Sequence, residues 1–158
     1  MSLQPFFEWL NGLAVSRAIN ESSWIYALDQ SFHLVALAVF AGALLIVDLR
    51  LLGRGLTQQP VAQVAHDAQP WLIGGFFGLV ATGIPQLISA ATKEYNSPIF
   101  WLKMEVLLVA FIFTITIRRK VTLADEARVG KFWSKVVGLV SIALWAGVAI
   151  PARLIGLL

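Results

Sequence analysis

The chain has 158 residues, of which 58% are hydrophobic and 13% charged, against roughly 25% charged in a soluble domain. That balance excludes an ordinary soluble domain and points to a single membrane domain over residues 1–158. The net charge of +3 is a topology signal and not a nucleic-acid one, because the basic residues cluster between apolar runs. The chain has no cysteine and only two histidines, His33 and His66. Disulfides, thiolate metal sites, iron–sulfur clusters and an all-His zinc cage within one chain are thereby excluded.

In residues 5–21, Phe6, Trp9, Leu10, Leu13 and Ile19 recur at roughly helical spacing, while Glu8, Asn11 and Arg17 fall elsewhere. The segment is too short and polar to span a bilayer and is expected as an amphipathic helix lying in the interface. The first residues lack a basic n-region, so no cleavable signal peptide is expected.

The first membrane span is expected at about 24–52. From Leu34 to Val47 it carries no charge, and His33 stands near its start. Uncharged apolar runs of this kind span bilayers, and an ionisable group at membrane depth is a functional hypothesis by default. Asp29 precedes His33 by four residues and shares its helical face. Ala38 and Gly42 offer a small-residue seam to a neighbouring helix. Asp48 and Arg50 are expected to mark the end of the span.

The second span is expected at about 61–91. Its opening, VAQVAHDAQP, is polar enough to lie at the membrane surface, with Pro70 starting or kinking the inserted part. Gly74, Gly78 and Thr82 follow a small-xxx-small spacing, and Pro85 and Gln86 come next. The third span, 98–118, begins at Pro98, a favoured first helical residue. It carries Lys103 and Glu105 in its first two turns and is stopped by Arg118, Arg119 and Lys120. The fourth, 132–157, has Trp133 at its start and Pro151 and Arg153 near its end.

The expected fold is therefore all-α: a polytopic membrane protein forming an antiparallel four-transmembrane-helix bundle, preceded by the interfacial helix. Phe32-His33 precedes Arg50 as Phe100-Trp101 precedes Arg118, and GLVATGIPQLI resembles GVAIPARLIG. These matches suggest two like-oriented hairpins. Eight Lys/Arg lie at the 1–2 and 3–4 connections and four at the other end. The bias puts the connections inside and both termini outside. His33, Gln86, Lys103, Glu105 and Arg153 then share one outer layer, where opposite charges lower each other's burial cost. His33 to Asp48 is 15 residues, about 22 Å of helix. His66, at that inner level beside Asp67, cannot join His33 on one metal within a protomer.

FHLVALAVFAGALLIVDLRLLG resembles the first conserved helix of small bacterial four-helix inner-membrane proteins. That group includes HemJ-type protoporphyrinogen oxidases and, more loosely, the CopD-type copper-resistance membrane domain. The matching positions are His33, Ala41-Gly42 and Arg50. FWLKMEVLLVAF is similar to a later helix of those proteins, with Lys103 in its first turns. The resemblance implies a bacterial inner-membrane location with both termini periplasmic. It also implies haem b with His33 as the axial metal ligand and Lys103 in the same site.

Three functions stay open at this point. The first is a b-type cytochrome-like protein whose haem is held by His33, with Lys103, Arg153 and Gln86 around it. It would transfer electrons to a redox partner, or act in a redox complex or as a homodimer within the lipid bilayer. The second is a small ion, proton or metal transporter gated by its Pro-kinked spans. The third is an assembly subunit without a cofactor. The sequence leaves open whether any reaction is catalysed.

Overall fold

Ser22 opens the first long helix by accepting the Ile25 N–H on its hydroxyl at 3.4 Å, which satisfies one of the unpaired donors of a helix start. The computed structural model describes residues 3–124 and 126–155, with the backbone alone described at 126 and 152–155. Its first elements are α1 (Gln4–Asn11), α2 (Ala14–Glu21), α3 (Ser23–Leu51) and α4 (Val61–Ser89). They are followed by α5 (Ala91–Tyr95), α6 (Pro98–Phe113), a π-helical turn (Thr114–Arg118), α7 (Arg119–Leu123), α8 (Glu126–Val129) and α9 (Lys131–Ile155). No strand occurs among the described residues.

Four of these helices are long and apolar enough to cross a membrane: Ser23–Leu51, Val61–Ser89, Pro98–Leu123 and Lys131–Pro151. The third runs unbroken through α6, the π turn and α7. Both connections between paired spans turn on a left-handed glycine, Gly53 at φ 72° and Gly130 at φ 74°, a conformation that glycine adopts without steric cost. Arg50 donates its Nε–H to the Gln59 carbonyl at 2.6 Å and stitches the α3–α4 turn.

In cross-section the spans run α4–α3–α9–α6. The α3–α4 seam is the tightest because glycines leave room for it. A Cβ added to Gly75 would fall 2.8 Å from the backbone N and the Cβ of Phe40, and one on Gly78 would fall 2.9 Å from the Ala36 Cβ. The antiparallel register continues through Ala43, Val47, Val64 and Ala68 to Leu51 and Val61. Gly78 and Thr82 use the expected small-residue spacing, but Gly75 replaces Gly74, beside which lies open space. Ala38 and Gly42 are not covered by another span; they line an open groove on the α3–α4 surface. The α4–α6 side has no comparable backbone seam among the described residues, and its meeting point is the ring stack of Phe76 on Phe111 at 5.5 Å.

Two expectations change. The opening of the second span is not set apart from the inserted part by Pro70; it is the first part of α4 and packs one face inward. Val61, Val64 and Ala68 are buried, their spacing of three and four places them on one helical face, and α4 is continuous through Pro70. Gln63, His66, Asp67 and Gln69 occupy the exposed face. The interfacial helix expected over 5–21 is two short helices, because Leu13 is extended (ψ 150°). Together they cap the bundle. Phe7 is buried with Ala91 and Phe100, and Asn20 donates to the Ser89 carbonyl at 3.0 Å, while Phe6 and Trp9 stay exposed as interfacial aromatics do.

The seam supports a paired prediction. Gly75→Ala costs about 1–3 kcal/mol through overpacking against the Phe40 backbone, whereas Gly74→Ala is neutral or slightly stabilising. Thermal unfolding in mild detergent measures both, and equal midpoints for the two variants would refute the close approach.

Candidate functional site at the N-terminal end of the bundle

His33 projects from α3 toward α4, where its Nδ1 lies 2.7 Å from the Thr82 hydroxyl. That hydroxyl donates its own proton to the Gly78 carbonyl at 2.7 Å. It therefore accepts from His33, and the neutral ring is the Nδ1–H tautomer with its lone pair on Nε2. Gly83 lies beside the Cε1 edge of the ring, where an added Cβ would sit 3.5 Å away, an ordinary van der Waals contact.

Lys103 of α6 and Asp29 of α3 both act electrostatically on the His33 ring. His33 and Lys103, 70 positions apart in the chain, are thus brought into one field. Gln86, one turn beyond Thr82, has a buried side-chain Nε2 with no hydrogen-bond partner. An unsatisfied buried amide is unusual and asks for an acceptor. His33, Gln86 and Lys103 therefore share the expected layer. Arg153 falls in the last turn of α9, and its side chain lies outside the described residues. His66 is exposed beside Asp67, with Nδ1 3.5 Å from Oδ1, far from this layer.

Glu105 does not join. It is exposed and Lys103 half-buried, because residues two apart on a helix do not face each other. Glu94 of α5 takes its place near the lysine: Lys103 acts on it electrostatically, and burial pushes its carboxyl above the ordinary range. The sequence signal for it was weak, since a glutamate in a short polar connection reads as solvated.

The larger surprise lies in the other half of the bundle. Asp48 and Arg118, near the ends of their spans, do not face solvent or headgroups; they are 1% and 4% exposed. The Arg118 Nε–H donates to Asp48 Oδ1 at 2.8 Å, and its Nη2 donates to the Leu44 carbonyl at 3.2 Å. Ser141 of α9 donates to Asp48 Oδ2 at 2.6 Å. Three spans are joined by one carboxylate. Periodicity does not reveal Asp48 in the sequence, because the exposed Leu45 and Ile46 are as apolar as the buried Leu44, Val47 and Leu51. Arg118 could not be found that way either. Ala110, Thr114, Arg118 and Thr122 line one side at intervals of four, a row that an α-helix would rotate off its face by about 40° per step. The π-helical turn absorbs that drift.

Between the two polar layers lies an aromatic one. Trp145 donates to the Thr114 hydroxyl at 3.1 Å and meets Phe40 edge-on at 4.8 Å. Phe76 contacts Phe40 at 6.5 Å and stacks on Phe111. The charged layers are thereby insulated from each other.

Removing one partner of a buried pair strands the other. Asp48→Ala therefore costs about 3–5 kcal/mol and Ser141→Ala about 1–3 kcal/mol. The double replacement Asp48→Leu with Arg118→Met is less harmful than Asp48→Ala. Unfolding midpoints measure the series, and a double variant worse than the single would contradict the pairing. For Glu94 the sign follows from burial. Its folded value is raised, so its stabilisation is complete below the unfolded value and is lost as pH rises through the folded one. The unfolding midpoint of the protein minus that of Glu94→Gln should fall as pH rises above the ordinary glutamate range of about 4; a flat difference would contradict it.

No curated protein and no solved structure matches the chain. A family model matches residues 6–158, nearly its whole length. The chain, a membrane bundle with polar groups held in two separate layers, belongs to DUF6644, a family of unknown function.

Proposed function

We propose that the protein binds haem b at the N-terminal end of its bundle, where His33 would hold the iron through Nε2, and takes part in electron transfer or serves a redox complex. The observation that carries this reading is the His33–Thr82 bond. It commits Nδ1–H and leaves Nε2 free, the arrangement in which second-shell partners hold ligating histidines.

The donor set fits a metal that brings most of its own ligands. No group of three His, Cys, Asp or Glu side chains converges among the described residues, so a bare zinc ion lacks its cage. A porphyrin iron needs one or two protein ligands. The Lys103 ammonium suits a propionate, and the unpaired Gln86 amide offers a donor for a second acceptor. The bound group would supply one-electron exchange at its iron. The chain's own residues orient the imidazole through Thr82, balance negative charge through Lys103, and exclude water from below through the Phe40, Phe76, Phe111 and Trp145 layer. That layer also argues against a continuous ion path, and so against a transporter. The Lys/Arg bias supports both termini, and therefore the site, on the outer side, which in a bacterial inner membrane is the periplasmic one.

The test is an absorption spectrum of the purified protein before and after dithionite, with haemin titrated into any haem-free fraction. A Soret band and a reduced α band are expected in the unaltered protein and in His66→Ala, and are lost in His33→Ala. Thr82→Val should weaken haem affinity by about 10- to 100-fold. A folded protein that takes up no haem refutes the proposal.

A further inference from the structure

We propose that the lipid-facing stripe of α6 around Glu105 is a docking surface for a transmembrane helix of another protein, one that carries a lysine or arginine at matching depth. Glu105 is exposed, and no hydrogen bond or ion pair holds it among the described residues. On the same stripe Leu102 is 52%, Val109 54% and Ile112 48% exposed, so the carboxylate stands alone in an apolar strip. Four other charges of the spans face groups of this chain. Asp48 and Arg118 pair in the core, and Asp29 and Lys103 face the His33 ring electrostatically.

Depth makes the isolation costly. Trp101 ties the start of α6 to the Tyr95 carbonyl at 3.0 Å and belongs at the interface. Glu105 lies four residues further in, about 6 Å deeper. Lysine and arginine escape such positions on long flexible stems; a carboxylate on two methylenes does not. Ionisable groups inside a membrane pair with one another, so the missing partner is cationic and reaches the stripe from another helix.

A second copy of this chain is the wrong occupant. A symmetric dimer through this stripe places the same residue of each copy at the same depth across the axis. Glu105 would then face Glu105, and like charges oppose that pairing. The surface is self-repelling and complementary to a basic helix. This inference stands independently of haem binding.

The experiment uses the full-length protein in phosphatidylcholine vesicles, with energy transfer to synthetic single-span Leu/Ala peptides. One peptide carries a single Lys two turns below its end, one a Leu there, and one a Glu. The Lys peptide should bind about tenfold more tightly than the Leu peptide. That advantage should vanish in Glu105→Gln, whose unfolding midpoint remains that of the unaltered protein. Glu105→Lys should prefer the Glu peptide. Equal binding of the Lys and Leu peptides, or a Lys preference that survives in Glu105→Gln, overturns the proposal. So does self-association that disappears in Glu105→Gln, which would assign the stripe to a second copy.

Discussion

A carboxylate withdrawn from both water and lipid must find its counter-charge inside the protein, and Asp48 finds it in Arg118 and Ser141. That requirement couples α3, the third span and α9, which come from both hairpins of the chain. Neither ionic partner is affordable alone in an apolar interior. The π-helical turn, Thr114–Arg118, is best understood in this light. It rotates the end of the third span so that the guanidinium reaches inward, where a regular helix would have swung it toward the lipid. The same turn carries Thr114, whose hydroxyl receives the Trp145 indole. One irregularity thus sets both the ionic layer and the aromatic layer above it.

Above the aromatic layer the bundle is built differently. Glycines draw α3 and α4 together, and the contact ends in the His33–Thr82 bond. There the ionisable groups act over longer distances: Asp29 and Lys103 on His33, and Lys103 on Glu94. α1 and α2 cover this end, anchored by Phe7 and Asn20. One end of the bundle is welded by a dry ion pair. The other holds an oriented imidazole and an unpaired amide, groups more suited to a ligand than to rigidity.

Much of this was legible in the residues. The spans, their antiparallel order and the polar layer of His33, Gln86 and Lys103 follow from where apolar runs begin and end and from helical depth. Gly78 and Thr82 were identifiable by spacing. Gly74 was not separable from Gly75, because two adjacent glycines differ only in which way the helix is rotated. Glu105 was grouped with Lys103 because both share a depth; depth says nothing of direction around the helix. Asp48 and Arg118 were taken for boundary charges, because a charge at the end of an apolar run has the same pattern whether it faces headgroups or a buried partner.

The sequence by itself determined that this chain lives in a membrane, crosses it four times and places a histidine near one end of the first span. Those properties depend on local composition, and the bilayer reads composition directly. Only the tertiary structure decided which charges meet. Asp48 and Arg118 are 70 residues apart, and His33 and Thr82 lie on different spans. Their contacts depend on the rotation of each helix about its own axis. That angle is set by side-chain packing between spans and by a single π turn, and no local pattern in either helix encodes it.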